Sequence, residues 1–169
     1  DADQVKRALD KCEFVVVSDI CQDTDTTQYA DVLLPALGWG EKDGTVTNSE
    51  RRISRQHAFL DAPGEAKADW WAIAQGFRGF DFHNSHEIFK EHAELSAYQN
   101  VEISQRLETP YFRYFNLQGL SNLTTQEYDK LEPVQWPVWD KQQPVKSVAR
   151  LFAQGQFSHA DGKAKFIAT

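Results

Sequence analysis

The sequence predicts an α/β fold in which the strands of a mostly parallel sheet alternate with helices. Two observations carry this. First, Phe14–Val17 is a continuous run rich in β-branched residues, as in a parallel strand covered on both faces, and Val32–Leu34 is a second short apolar run. Second, the stretch between them is polar, rich in Asp and Thr, and long enough for a short helical crossover, which completes a strand–helix–strand unit.

Each element has a local cause. Asp3 can cap a short helix whose apolar face is Val5, Ala8, Leu9 and Cys12 at helical spacing. The run "EFVVVSD" follows as a strand, and "QDTDTTQYA" supplies side-chain oxygens that suit a loop and a helix cap. The strand "DVLLP" stops at Pro35. After Gly44, "TVTNSERRISRQHAF" alternates as an antiparallel ribbon turning at Asn48-Ser49. A breaker at Pro63-Gly64 precedes a helix with Trp70, Ile73, Ala74 and Phe77 on one face. Asn84 and Glu87 stand at capping-box spacing before a stripe of Ile88, Phe89, His92 and Leu95, and Thr124 with Glu127 repeats the cap. "LEPVQWPVWDKQQPV" has three prolines and reads as an ordered irregular segment or a sheet edge. "QFSHADGKAKFIA" is a hairpin candidate with its turn at Asp161-Gly162. The expected organisation is one domain over 1–169, strand-rich over 1–80, with helices, an irregular segment and a terminal hairpin over 81–169.

With 169 residues, 41% of them hydrophobic, the chain is long enough for a packed core. Its 18 Lys and Arg against 25 Asp and Glu give a net charge of −7, which disfavours a nucleic acid backbone or an anionic membrane as partner. Two cysteines, Cys12 and Cys21, are too few for a disulfide framework and form no CxxC pair. The chain contains no Met, which is compatible with a piece of a longer protein.

Several residues admit a binding role beside a plain one. Ser18 and Asp19 end the first strand, where open sheets collect ligands, although Asp19 equally suits a cap on the next turn. Lys42, between Gly40 and Gly44, can neutralise a phosphate or lie in a solvated turn. Asp69 fits a helix start, where its charge complements the helix dipole, and a carboxylate also pairs with the adjacent N–H donors of guanine. Arg51, Arg52, Arg55 and His57 form a basic cluster whose default reading is a solvated face. His83, His86 and His92 lack a well-placed third partner for a metal. No GxSxG, GxGxxG or P-loop occurs.

Taken in order, "VVVSDICQDTDTTQYADVLLPALGWGEKDGTVTNSERRIS" resembles the third domain of the molybdopterin oxidoreductases. "APGEAKADWW" continues the match, and "EPVQWP" and "HADGKAKF" look like the family's segment leading to its fourth domain. Within the family the likeness is greatest to bacterial assimilatory nitrate reductases, then to periplasmic nitrate reductases, with a formate dehydrogenase or a non-catalytic nucleotide-binding module as alternatives. The resemblance implies a three-layer, Rossmann-like sheet flanked by helices, as a fragment of a larger enzyme. It implies a cofactor, bis-molybdopterin guanine dinucleotide with molybdenum, contacted by Ser18 and Asp19, by the positive charge of Lys42 and, at the guanine edge, by Asp69. It implies no catalytic residue and no metal ligand in this chain, and an iron-sulfur cluster held elsewhere in the parent protein, so Cys12 and Cys21 inherit no ligand role. Asp43 stands where many relatives have Glu. The expected partners are the parent's remaining domains and an electron donor protein or reductase, in the cytoplasm or alternatively the periplasm.

Overall fold

A computed structural model describes residues 1–76, 79–99 and 115–142, and beyond these 150, 152, 153, 155, 157, 159 and 161–167. The chain divides into two compact units, Asp1–Asp43 with His57–His83, and Gly44–Gln56 with Asn84–Thr169. Helices, a parallel strand pair and an antiparallel sheet together make an α/β fold.

In the first unit, helix α1 (Ala2–Leu9) is capped by Asp1, whose side chain accepts from the Gln4 N–H at 3.3 Å. Asp3, the expected cap, sits in the first turn instead. Strand β1 (Val16–Asp19) pairs in parallel with β2 (Val32–Pro35), from Val16 opposite Val32 to Asp19 opposite Pro35. The crossover contains one turn of 3-10 helix, Thr27–Tyr29. Thr27 is buried there; its hydroxyl donates to the Gln22 or Thr24 carbonyl and accepts from the Thr24 N–H. Asp31 ties the entry of β1 to that of β2 by accepting from the Val15 N–H at 2.7 Å. Past Pro35, a parallel bridge joins Ala36 to Lys67, with the Lys67 N–H on the Pro35 carbonyl at 3.0 Å and the Leu37 N–H on the Lys67 carbonyl at 3.1 Å. Helix α2 (Asp69–Gly76) starts immediately afterwards.

The expectation that Phe14–Val17 is covered on both faces is corrected here: Phe14 is 64% exposed and Val16 51%. The parallel sheet has two strands among the described residues of this unit, and the crossover between them holds a single 3-10 turn. Among the described residues of this unit the buried apolar side chains are Ala36 and Ala66. On α2, Trp70 and Ala74 are half-buried while Ile73 is exposed, and Phe77 lies outside the described residues.

The second unit is better packed. Strands β3 (Gly44–Thr47) and β4 (Arg52–Gln56) form the expected antiparallel ribbon, Gly44 opposite Gln56 and Thr47 opposite Ile53. Its turn is held by Asn48, whose side-chain oxygen accepts from the Glu50 and Arg52 N–H groups at 3.1 and 3.0 Å, while Arg51 takes φ 69. The two-residue strand β5 (Val134–Gln135) borders β4, so the proline-rich segment does supply a sheet edge.

Helix α3 (Ser85–Ser96) begins at Asn84, which accepts from the Glu87 N–H at 3.0 Å. Its buried face is Phe89, Ala93 and Ser96, a correction of the expected stripe: Leu95 and His92 are exposed. Ser96 explains the rotation, because its hydroxyl accepts from the Leu117 N–H at 2.8 Å and donates to the Ala93 carbonyl at 2.6 Å. The short helix α4 (Thr125–Asp129) carries the predicted capping box between Thr124 and Glu127. Ile53, Phe89, Ala93, Leu117, Leu120, Leu123, Tyr128 and Val138 form the core. Near the C-terminus, the predicted turn at Asp161-Gly162 is closed by the Phe157 N–H on the Gly162 carbonyl and the Gly162 N–H on the His159 carbonyl, both 2.8 Å.

Candidate cofactor-binding site at the strand tips

The parallel pair sets the site. β1 delivers Ser18 and Asp19 at its carboxyl end, and the Ala36–Lys67 bridge brings the first residue of α2 to the same end. Asp69 consequently lies beside Ser18, whose hydroxyl donates to Oδ1 at 3.0 Å. The loop after β2 returns Lys42 to the other carboxylate oxygen, with Nζ 3.0 Å from Oδ2. Three of the four predicted residues, 51 positions apart at the extremes, therefore meet in one cluster. The fourth is held differently. Asp19 Oδ1 accepts from the Cys21 N–H at 3.0 Å, so Asp19 does cap the following turn, and its carbonyl accepts from the Ala36 N–H.

The cluster is open to solvent, with the Lys42 side chain 36% and the Asp69 side chain 50% exposed. The Lys42 ammonium holds the Asp69 carboxyl below its usual range; partial burial opposes this, and the Ser18 hydroxyl adds to it. The carboxylate is thus fixed in its ionised, hydrogen-bond-accepting form. An ammonium has three donors and an ionised carboxylate about four acceptor positions, so both groups retain capacity beyond their mutual bonds. An ionised carboxylate, an ammonium and a hydroxyl thus stand together at the strand tips, a set of charged and polar groups of the kind that can hold a phosphate- and hydroxyl-bearing ligand. A cavity of about 540 Å³ in the same unit lies instead between α1 and residues 25–29, lined among others by Lys6, Leu9 and Tyr29, and it touches none of these four.

Two features escaped the sequence reading. Glu41 and Gly40 shape the loop that carries Lys42: the Glu41 carboxylate accepts from the Gly38 N–H at 2.7 Å, and the Gly40 carbonyl accepts from Phe59 and Leu60 at 2.8 and 3.0 Å. A glycine three positions before a glutamate is too common to signal this. In the basic cluster Arg51 and Arg55 do not form a solvated face, whereas His57 is exposed. Arg51 is 5% exposed and lies 5.6 Å from the Trp136 ring centroid, and Arg55 lies 4.3 Å from that of Tyr128 while pairing with Asp129 at 3.0 Å. Both are structural parts of the second unit, where a planar guanidinium can stack and pair at once. Among the described residues no group of three or more His, Cys, Asp or Glu could hold a metal ion, and no helix is long and apolar enough to cross a membrane.

Ligands of open α/β sheets gather at the carboxyl ends of strands, and in the first unit charged and hydroxyl groups are assembled at that end of its parallel pair. The family model described as Molybdopterin oxidoreductase matches residues 1–75. Over 172 residues the chain is 46% identical to a protein named nitrate reductase from Shewanella frigidimarina, covering 99% of this chain and 18% of that one. A nitrate reductase from Klebsiella oxytoca is 44% identical over 173 residues, again 99% and 18%. A formate dehydrogenase subunit alpha from Methanocaldococcus jannaschii is 30% identical over 173 residues, 99% of this chain and 22% of that protein. The chain belongs to the molybdopterin oxidoreductase family, whose members carry a molybdenum-pterin cofactor, and it spans about a fifth of the length of these relatives.

Proposed function

We propose that the chain is part of a molybdenum-dependent nitrate reductase serving nitrate assimilation, and that its strand-tip cluster helps hold the guanine dinucleotide of a bis-molybdopterin cofactor. The convergence of Ser18 and Lys42 on Asp69 is the observation that carries this reading. In it, Asp69 accepts from the guanine edge, Lys42 offsets phosphate charge, and Ser18 and the second carboxylate oxygen of Asp19 take hydroxyl groups. When bound, the group would supply the oxygen-atom transfer that reduces nitrate to nitrite and water, with the two electrons arriving from a donor protein or reductase through an iron-sulfur cluster outside this chain and the two protons from solvent. The chain itself contributes binding and orientation; by itself it forms no nitrite. The remaining domains of the parent complete the cradle, in the cytoplasm.

The test is made in the full-length protein. Asp69→Ala and Lys42→Ala are expected to lower the molybdenum and the acid-released guanine nucleotide per polypeptide by about tenfold, the loss of a charged hydrogen bond worth roughly 1.5 kcal/mol. Unchanged contents in both variants would remove the assigned contacts. A formate dehydrogenase is the second reading, favoured by 30% identity to that relative over nearly the whole chain. Formate oxidation without nitrate reduction by the full-length protein would select it.

A further inference from the structure

Resting on that cofactor reading, we propose that Glu41 is a positioning residue: its carboxylate clasps the turn before Lys42 and so sets where the ammonium stands. The turn Gly38-Trp39-Gly40-Glu41 is closed twice. The Glu41 N–H donates to the Gly38 carbonyl at 3.2 Å, and the Glu41 side chain returns to accept from the Gly38 N–H at 2.7 Å. Both polar groups of Gly38 are thereby bound to one residue. The middle of the turn is fixed from outside, because the Gly40 carbonyl accepts from two successive N–H groups, Phe59 and Leu60. The approach is close enough that a Cβ on Gly40 would stand 2.7 Å from Leu60 Cδ1.

Lys42 is the next residue after this clasp. A lysine has four rotatable bonds, and much of the cost of localising its charge is conformational entropy. Fixing its backbone root leaves only the side chain to order, and Asp69 receives the far end. The direction of Glu41 matters for the same reason. A carboxylate aimed at a diphosphate would repel it, whereas one turned back onto a backbone N–H has its charge offset locally. What the clasp needs is an acceptor at the reach of a glutamyl side chain, and not a negative charge.

Two conservative variants separate those alternatives in the full-length protein, with molybdenum and released guanine nucleotide per polypeptide as readouts. Glu41→Gln keeps both reach and acceptor and is expected to retain the wild-type content. Glu41→Asp keeps the charge but is one methylene short, and is expected to lose about fivefold, the net worth of one hydrogen bond. Lys42→Ala is measured alongside. The reverse order, with Asp retained and Gln lost, assigns the effect to charge and overturns the inference. Retention in both Glu41 variants while Lys42→Ala loses cofactor overturns it and leaves the cofactor reading standing. Full retention in Lys42→Ala removes the cofactor role itself, and the positioning role with it.

Discussion

Asp69 accepts from two partners through two different oxygens, and this fixes its protonation. Its folded-state pKa lies below the ordinary 3.8, with the Lys42 hydrogen bond as the largest cause. The sign follows directly. A depressed carboxyl contributes stability that is present above the unfolded value and is lost as pH falls through the folded value. The Lys42–Asp69 pair therefore outlasts ordinary aspartates in acid. A carbon-13 titration of the Asp69 carboxyl should give a midpoint below 3.8 that moves up in Lys42→Ala. A wild-type midpoint at or above the ordinary value would show that the pair does not form in solution. Much of this cluster was legible in sequence, since Ser18 ends an apolar run, Lys42 sits between glycines and Asp69 opens a helix. What bound them together was not. The Ala36–Lys67 bridge that carries Asp69 to Ser18 is made of backbone groups, and no side-chain pattern announces it. Arg51 and Arg55 were illegible for the opposite reason: their charge suggests water, whereas the aromatic rings that receive them are about 80 positions downstream.

Among the elements, those with strong local chemistry mostly matched expectation, the α1 cap, which falls on Asp1 and not Asp3, being the exception. The Asn48 turn, the Asn84 cap and the Thr124–Glu127 box each rest on a side-chain oxygen accepting a nearby N–H. Elements defined by an apolar face matched less well, because a face is settled by what covers it. Helix α3 turns toward Ser96 and away from Leu95 for a bond to Leu117, a partner 21 residues on. Gly119 shows the same dependence on distant chain. It lies in the 3-10 turn Gln118–Leu120, its N–H donates to the Val138 carbonyl at 2.8 Å, and a Cβ there would stand 2.7 Å from the Asp140 carbonyl carbon and 2.8 Å from the Lys141 nitrogen. Backbone atoms cannot swing aside as a side-chain tip can. Gly119→Ala should therefore destabilise by about 1–3 kcal/mol in denaturant unfolding. A change within a few tenths of zero would mean that the Asp140 backbone yields freely.

The two compact units differ in how their apolar residues are disposed. Tyr128, Leu117 and Val138 are almost fully buried in the second unit, while Phe14, Val16, Ile20 and Trp39 are more than half exposed in the first. Amide protection follows buried packing, so hydrogen exchange should be slowest at Ala93, Leu117 and Tyr128 and faster at Val17 and Leu33. Equal protection in both groups would contradict the burial described. β1 adds a further point: among the described residues it pairs with β2 alone, and Val16 and Ile20 beside it are exposed. Such an edge is a template for any other extended chain, including another copy of itself. On its own, this chain should become cloudy as its concentration rises, with deposits that bind amyloid dyes.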